Sequence, residues 1–369
     1  MSVLVVSALL GLVSLAVSPF LPTWLGGNSH ITPTASAYFA IVATALPIFQ
    51  FSIFGAGMLR SSGNMVVPSV MSVVMMSLDV VFNFFLIFPT RPVELFGTQI
   101  MMPGMGMGVM GAAIGTVSAE LVAASITMYI LCFRSKELSL RIDTGRFLPT
   151  WGVVKRALHI SLPMGLQQTI MCSAYVMTTI IIAPLGTFAI AANSFGIIIE
   201  SLCYMPGYGI ADAATTLVGQ SMGAGRHELM KRFAWLSVGL GVTVMAVMGV
   251  VMYVGAPTAM AMMTPAEEVR RLGVEVLRIE AFAEPMFAAA IVSYDVFVGA
   301  AKTLVPSIMN LISIWGVRIS LAAMLAPSMG LRGVWIAMCI ELCFRGLIFL
   351  VKLKFWNIQT SCKHYGKDQ

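Results

Sequence analysis

The segment NMVVPSVMSVVMMSLDVVFNFFLIF, residues 64–88, carries one charged side chain, Asp79, and places apolar residues on every face of a helix. A run of this length can cross a bilayer, since a spanning helix needs ~20 apolar residues. A strand of a transmembrane β-barrel would alternate polar and apolar residues, which this segment does not do. The segment therefore predicts a membrane-spanning helix.

The rest of the 369-residue chain has the same character, with 58% hydrophobic and 10% charged residues. This composition is far more apolar than that of a soluble domain. We count ten candidate spans and predict an all-α polytopic membrane protein. The spans lie near residues 3–25, 36–59, 66–88, 108–132, 158–183, 188–213, 233–255, 272–298, 304–326 and 333–353.

An internal repeat divides the chain. NMVVPSVMSVV (64–74) matches KTLVPSIMNLI (302–312), and GMGVMGAAIGT (106–116) resembles MGLRGVWIAM (329–338) after a loop that is about 16 residues longer in the first copy. Four prolines recur 238 positions later, and one of the second set is expected to bend its helix. They are Pro19, Pro47, Pro68 and Pro89, followed by Pro257, Pro285, Pro306 and Pro327.

The second copy holds six candidate helices, but its first two have no counterpart in the first copy. We expect a twelve-helix design of two parallel six-helix lobes whose N-lobe lacks its first two helices. The predicted boundaries are 1–132 for the N-lobe, 133–157 for a cytoplasmic linker, 158–355 for the C-lobe and 356–369 for a cytoplasmic tail.

Basic residues predict the orientation and the absence of nucleic-acid binding. Alternate loops and the tail hold 15 Lys and Arg residues, whereas the opposite loops hold only Arg91, Arg270, Arg271 and Arg332. The richer side is expected to be cytoplasmic, with both termini on it. Because the basic residues lie in short loops between apolar runs, they orient helices and do not form a nucleic-acid surface.

No catalytic motif is present, so we predict that the protein is not an enzyme and holds no cofactor. The glycine-rich stretch VGQSMGAGRHELMKR (218–232) lacks the GK[ST] of a phosphate-binding loop. The sequence contains neither HExxH nor a nucleophile elbow, and its six cysteines form no CxxC pair. Two helical bundles interrupted by Pro and Gly favour an ion-driven transporter.

Several dispersed stretches carry a family resemblance. They are IIIESLCYMPGYGIADAATTLVGQSMGAGR (197–226), LRSSGNMVVPS (59–69), LPMGLQQ (162–168) and APLG (183–186). In this order they resemble the multidrug and toxic-compound extrusion (MATE) family. The resemblance implies V-shaped N- and C-lobes that export organic cations or other amphipathic compounds against entering Na⁺ or H⁺.

Asp79 is the first candidate for cation coupling, with Asn83 one helical turn later on the same face. A carboxylate beside a carboxamide can bind Na⁺ through oxygen atoms, or the carboxylate can exchange a proton. The family often places Asn before Asp in this helix, and here the order is reversed. A structural hydrogen bond between helices is the alternative. No other metal site is predicted.

Other polar residues in the spans are weaker candidates. In the N-lobe, the resemblance favours Thr116, and Glu120 is a candidate because an acid inside a span needs a partner or a function. In the C-lobe, the family's usual acid positions fall on Phe287 and Met171, so neither is matched. The remaining candidates there are Glu280 and Glu284 for coupling, and Gln167 and Gln168 for a polar cavity or for helix packing.

Four further charged residues are assigned structural or gating roles. Glu341 and Arg345 are spaced i,i+4, which predicts an ion pair, with Arg318 as a candidate third member. Glu200 fits the family's eighth-helix pattern.

The leading prediction is a Na⁺- or H⁺-coupled antiporter of the inner or plasma membrane that exports organic cations and drugs. We expect a monomer whose partners are the lipid bilayer and small amphipathic or cationic substrates. Two alternatives stay open: a truncated, non-functional fragment, and a flippase for lipid-linked or polysaccharide substrates. A flippase cavity needs several cations, and those at mid-membrane are Arg278, Arg318 and Arg345.

Overall fold

A bilayer offers no water to the backbone, so a spanning segment must satisfy its own N–H and C=O groups. A helix that is apolar on all faces does this without closing into a barrel. The computed structural model describes residues 2–21, 32–95, 98–134 and 151–356. Within these residues, eight helices are long and apolar enough to cross a membrane, and the number of spans is nine if a bent helix pair is counted as one. The chain is therefore an all-α polytopic membrane protein, as the sequence predicted.

The chain forms two units, Met1–Trp151 and Gly152–Gln369. In the first unit, α2 packs on α1 and α4, and α3 packs on α4. Only part of the first predicted span, 3–25, can be compared, because residues 22–31 lie outside the described residues. The helices of this unit are α1 (Ser2–Val17), α2 (Thr32–Ser61), α3 (Val66–Ile87) and α4 (Gly108–Arg134).

A β-hairpin follows α3 where the sequence predicted only a long loop. Strands β1 (Pro89–Leu95) and β2 (Thr98–Met105) pair antiparallel, with Arg91 opposite Met102. The Thr90 hydroxyl donates to the Gly104 carbonyl at 3.2 Å, and the backbone at Gly104 lies against the Phe88 carbonyl, where a side chain would clash. The hairpin was missed because its strands are interrupted by proline and show no regular alternation.

The second unit contains seven helices in its described part. Its core lies between α6, α7, α9 and α11, and its largest fully buried side chains include Trp335, Phe297 and Phe349. The helices are α5 (Trp151–Ile182), α6 (Thr187–Gly223), α7 (His227–Met263), α8 (Glu267–Glu280), α9 (Glu284–Gly299), α10 (Leu304–Met329) and α11 (Leu331–Lys354).

Two of the predicted boundaries can be compared in part. Helix α5 begins at Trp151, so residues 151–157 of the predicted linker are helical. Residues 135–150 of that linker, and residues 357–369 of the predicted tail, lie outside the described residues. The glycine-rich stretch 218–232 is a tight helix–helix turn, in which Gly225 has φ +69° between the end of α6 and the start of α7.

Helices α8 and α9 meet at a 58° bend, and together they are long and apolar enough to cross a membrane. Three residues, 281–283, separate them, and Pro285 is the second residue of α9. Proline suits a first helical turn because its missing N–H needs no partner there. The bend predicted at Pro285 is therefore present, as a complete break in the helix.

The repeat is visible in the helix starts. Helix α3 begins at Val66 and α10 at Leu304, 238 positions later, so that Pro68 and Pro306 are each the third residue of a helix. The copies differ further along, because α10 has a π-helical middle, Ile312–Ile319, where α3 is regular.

Candidate functional site

Four carboxylates occupy the interior of the second unit, each from a different helix. Glu200 lies on α6, Glu280 on α8, Glu284 on α9 and Glu341 on α11. Their exposed fractions are 7%, 1%, 1% and 0% respectively. Glu280 is within electrostatic range of the other three. Buried carboxylates are costly unless paired or neutralised, so the partners of each one matter.

Glu341 is fully partnered. The Ser313 hydroxyl donates to its Oε1 at 2.6 Å, and Arg345 donates from Nη2 to its Oε2 at 3.3 Å. The Arg345 Nε lies 3.0 Å from Oε1, which makes a buried i,i+4 salt bridge. Arg345 also covers the Phe287 ring, with its guanidinium carbon 5.5 Å from the centroid. Glu341 is thus held by groups from α10 and its own helix.

Glu280 and Glu284 have no such partners. Neither oxygen of either carboxyl group accepts or donates a hydrogen bond within the described structure. Space for Glu284 comes from Gly249 on α7, where a Cβ would lie 2.7 Å from the Ala281 carbonyl oxygen and 3.3 Å from the Glu284 Cβ. The two carboxyl groups therefore lie at the α8–α9 break, buried and unpaired, one on each side of it.

Arg318 lies between this cluster and a polar cavity. It is within electrostatic range of Glu200 and Glu280, and its guanidinium contacts the Met338 sulfur. No hydrogen bond or salt bridge joins it to Glu341 in the described structure, so it is not a bonded third member of that ion pair. The cavity, about 140 Å³, is also lined by Thr178 and Asn193, among others. Arg318 is the cation that faces open space beside the buried acids.

The charge balance of this cluster is uneven. Glu200, Glu280, Glu284 and Glu341 are accompanied by two cations, Arg318 and Arg345. If every group were ionised, two negative charges would remain in excess in a buried region. Since an isolated buried charge is strongly unfavourable, the cluster has a physical need for about two further positive charges, as protons or bound cations.

The two glutamines differ in their surroundings. Gln167 accepts a hydrogen bond from the Tyr294 hydroxyl at 2.8 Å, which links α5 to α9. Gln168 is exposed, and its amide lies 4.0 Å from the Cys172 sulfur on its own helix. Gln167 is thus a helix-packing contact, while Gln168 makes no polar contact with another helix in the described structure.

In the first unit, Asp79 and Asn83 face α4. The Oδ1 atom of each is buried without a hydrogen-bond partner. Asn83 lies against Gly115, where any Cβ would clash with its Oδ1. Gly111 lies against Leu86 in the same way, so α3 and α4 run antiparallel. One helical turn further along, Asp79 lies level with Ala119. Asp79 and Asn83 therefore share one face, as the sequence predicted.

Thr116 and Glu120 follow on α4. Thr116 is adjacent to Gly115 in sequence and half-buried, and Glu120 is 6% exposed. No hydrogen bond or salt bridge joins Glu120 to Asp79 or Asn83 in the described residues. The structure therefore places two candidate pairs on neighbouring helices without bonding them into one cluster.

Among the described residues, no three or more His, Cys, Asp or Glu side chains form a group that could hold a metal ion.

Ser313 is the site residue that sequence reasoning missed. Its hydroxyl bonds to Glu341 from another helix, 28 residues away. A serine in an apolar span gives no signal of its own, because serine can bond back to its own helix, as Ser173 does here with Thr169.

Comparisons with known proteins agree with the fold. The MatE family model matches residues 1–85 and 163–324. The chain is 26% identical over 329 residues to the probable multidrug resistance protein NorM of Thermotoga maritima, covering 88% of this chain and 67% of that protein. It is 28% identical over 244 residues to the Xylella fastidiosa protein of that name, covering 65% of this chain and 52% of that protein.

A solved structure of a MATE protein in complex with MaL6 superimposes with a TM-score of 0.86 at 20% identity, over 98% of this chain and 78% of that one. The fold and the apolar helices define an integral membrane protein. The chain belongs to the MatE family. It spans about half to two thirds of the length of the two NorM relatives that it matches.

Proposed function

We propose that this protein is a cation-coupled antiporter that exports organic cations and other amphipathic compounds across the inner or plasma membrane, with Na⁺ or H⁺ as the coupling ion. The observation that carries the proposal is the excess of two buried acids in the second unit, with Glu280 and Glu284 unpaired at a helix break. The multidrug resistance names of the NorM relatives support export as the direction of transport and drugs as the substrate class.

The proposed mechanism uses the excess charge. When Glu280 and Glu284 hold protons or a cation, the cluster is neutral and stable as packed. Loss of that charge leaves repelling carboxylates at the α8–α9 break, where three residues without regular helix can change conformation. Since a ligand shifts an equilibrium only by binding its states differently, cation entry and release can favour alternate conformations of this break.

Asp79 and Asn83 are proposed as a second coupling position. Their buried, unpartnered Oδ1 atoms suit a cation, and one carboxylate beside one carboxamide offers up to three oxygen ligands. The flippase alternative receives less support, because Arg318 and Arg345 lie beside acids and Arg278 lies in a surface groove away from them. Transport as a monomer, with both termini cytoplasmic, completes the proposal.

Reconstituted full-length chain in liposomes tests the coupling. An imposed H⁺ or Na⁺ gradient should drive accumulation of ethidium. Replacing Glu280 or Glu284 with Gln removes the exchangeable charge but keeps the shape. We expect each variant to lose gradient-driven transport by about ten-fold or more, the factor that corresponds to about 1.4 kcal/mol.

Glu275→Gln is the matched control, because Glu275 lies on the same helix as Glu280 but pairs at the surface with Arg332. It should transport like the wild type. Gradient-driven transport at wild-type rates by the double variant Glu280→Gln/Glu284→Gln would disprove the coupling role. No gradient-driven transport by the wild-type chain would overturn the antiporter itself and favour the non-functional fragment.

A further inference from the structure

A groove of about 380 Å³ opens on the outer surface of the second unit. It lies between α7, the α8–α9 break and α11. Its walls are mostly apolar, and one guanidinium group is the charged group among the lining residues. The residues that matter here are Tyr253, Arg278, Phe282, Ile336, Cys339 and Ile340.

Arg278 is the only charged residue of this groove. Its guanidinium carbon lies 5.2 Å above the centroid of the Tyr253 ring, a cation–π contact that holds the side chain in the groove. Tyr253 is itself held edge-on by Phe282, with ring centroids 5.7 Å apart. No acidic side chain of the described residues forms a salt bridge with Arg278, so its charge has no protein counter-ion there.

The groove begins where the polar surface of the unit ends. One turn before Arg278, Glu275 accepts a hydrogen bond from Arg332 at 2.6 Å in an exposed salt bridge. Arg278 is three residues further along α8, about 4.5 Å deeper. Beyond Arg278, the side chains of Phe282 and Ile340 are 72% and 45% exposed respectively. Arg278 therefore marks the boundary between the polar end of the unit and its apolar belt.

This boundary is the level at which a bilayer places lipid phosphates above acyl chains. An unpaired arginine at that depth is costly unless it reaches water or an anion. The guanidinium group presents a planar fork of donors that matches two phosphate oxygens. Ile336 and Ile340 follow Arg332 at spacings of four and eight residues, which continues one face of α11 inward from the same boundary.

We propose that this groove binds an anionic phospholipid, with its phosphate on Arg278 and an acyl chain along Phe282, Ile336 and Ile340. The lipid comes from the leaflet opposite the basic turn that contains Arg226. It fills a surface site and stabilises the α8–α9 break from outside. The proposal is independent of the transport activity proposed above.

Lipid titration of the purified full-length chain in a neutral detergent tests the site without any transport assay. Binding is read by native mass spectrometry and by the shift in unfolding temperature. The probes are dioleoyl phosphatidylglycerol, dioleoyl phosphatidylcholine and inorganic phosphate. We expect the wild type to bind the anionic lipid about ten-fold more tightly than the zwitterionic one, since the choline cation of the latter offsets the charge of the phosphate that Arg278 binds.

Arg278→Gln should reduce binding of the anionic lipid to the level of the zwitterionic one. Arg271→Gln is the matched control, because Arg271 is exposed on the same helix outside the groove. Ile340→Trp fills the groove from an exposed position and should weaken both lipids while Arg278 is retained. This second variant keeps the test informative if Arg278→Gln does not fold.

Three outcomes would overturn the proposal. The first is equal affinity of the wild type for the two lipids. The second is unchanged lipid binding in Arg278→Gln or in Ile340→Trp. The third is saturation of the site by inorganic phosphate at the concentrations at which the lipid binds, which would make it a site for free phosphate.

Discussion

The ion pair between Glu341 and Arg345 gives a quantitative test of how the cluster is balanced. Glu341 is 0% exposed, and Arg345→Gln removes the side chain that contacts both of its oxygen atoms. Ser313 would remain as its hydrogen-bond donor. Removing one member of a buried pair typically costs ~3–5 kcal/mol, because the other charge is left buried. We expect Arg345→Gln to lower the free energy of unfolding by this amount.

The double variant Glu341→Gln/Arg345→Gln removes both charges together. Neutral replacement of a buried pair is often close to neutral in stability, so we expect the double variant to cost less than Arg345→Gln alone. The difference from additivity should exceed about 1 kcal/mol, as for residues in direct contact. Unfolding of the purified chain in mixed micelles, followed by circular dichroism, measures Arg345→Gln, Glu341→Gln and the double variant.

The exposed pair between Arg332 on α11 and Glu275 on α8 is the control. Exposed pairs contribute about 0–1 kcal/mol, so Arg332→Gln should have a small effect. If Arg345→Gln costs no more than Arg332→Gln, or if the two changes at 341 and 345 are additive, then the cluster is not held by charge balance. Either result would also contradict the inferred excess of two buried acids.

Two further predictions concern packing and orientation. Gly249→Ala should destabilise the chain by ~1–3 kcal/mol because its Cβ would meet the Ala281 carbonyl. Gly239→Ala on the same helix has open space and should be neutral or stabilising. Equal unfolding midpoints of the two variants in micelles would contradict this prediction. Reporter fusions after residues 145 and 329 should score cytoplasmic and external respectively, as the basic loops predict. The reverse result would invert the topology.

Local features were predictable because they depend on residues that are close together in the sequence. The helices follow from continuous apolar runs, the break from Pro285, and the pair Glu341–Arg345 from its i,i+4 spacing. The equivalence of α3 and α10 follows from two similar sequence segments that lie 238 positions apart. None of these features needs knowledge of how distant helices pack.

The candidate site was less predictable because it is assembled from four helices. Sequence reasoning ranked Asp79 first and gave Glu280 and Glu284 less weight, because the family's acid positions fall on Phe287 and Met171. Burial and pairing were not visible from the sequence: Glu341 has two partners while Glu284 has none. The ranking of the two units as coupling sites stays a prediction until the variants are measured.

The break between α8 and α9 also has a consequence for biosynthesis. Helix α9 has 16 residues, about 24 Å of helix, whereas the hydrocarbon core is ~30 Å thick. The shortfall corresponds to about four residues, the distance from Glu284 back to Glu280. Insertion of this span therefore carries an acid into the membrane, and Arg318, the cation within electrostatic range of Glu280, is synthesised only 38 residues later. We expect the ribosome-bound chain to keep this span poorly inserted until α10, which carries Arg318, emerges.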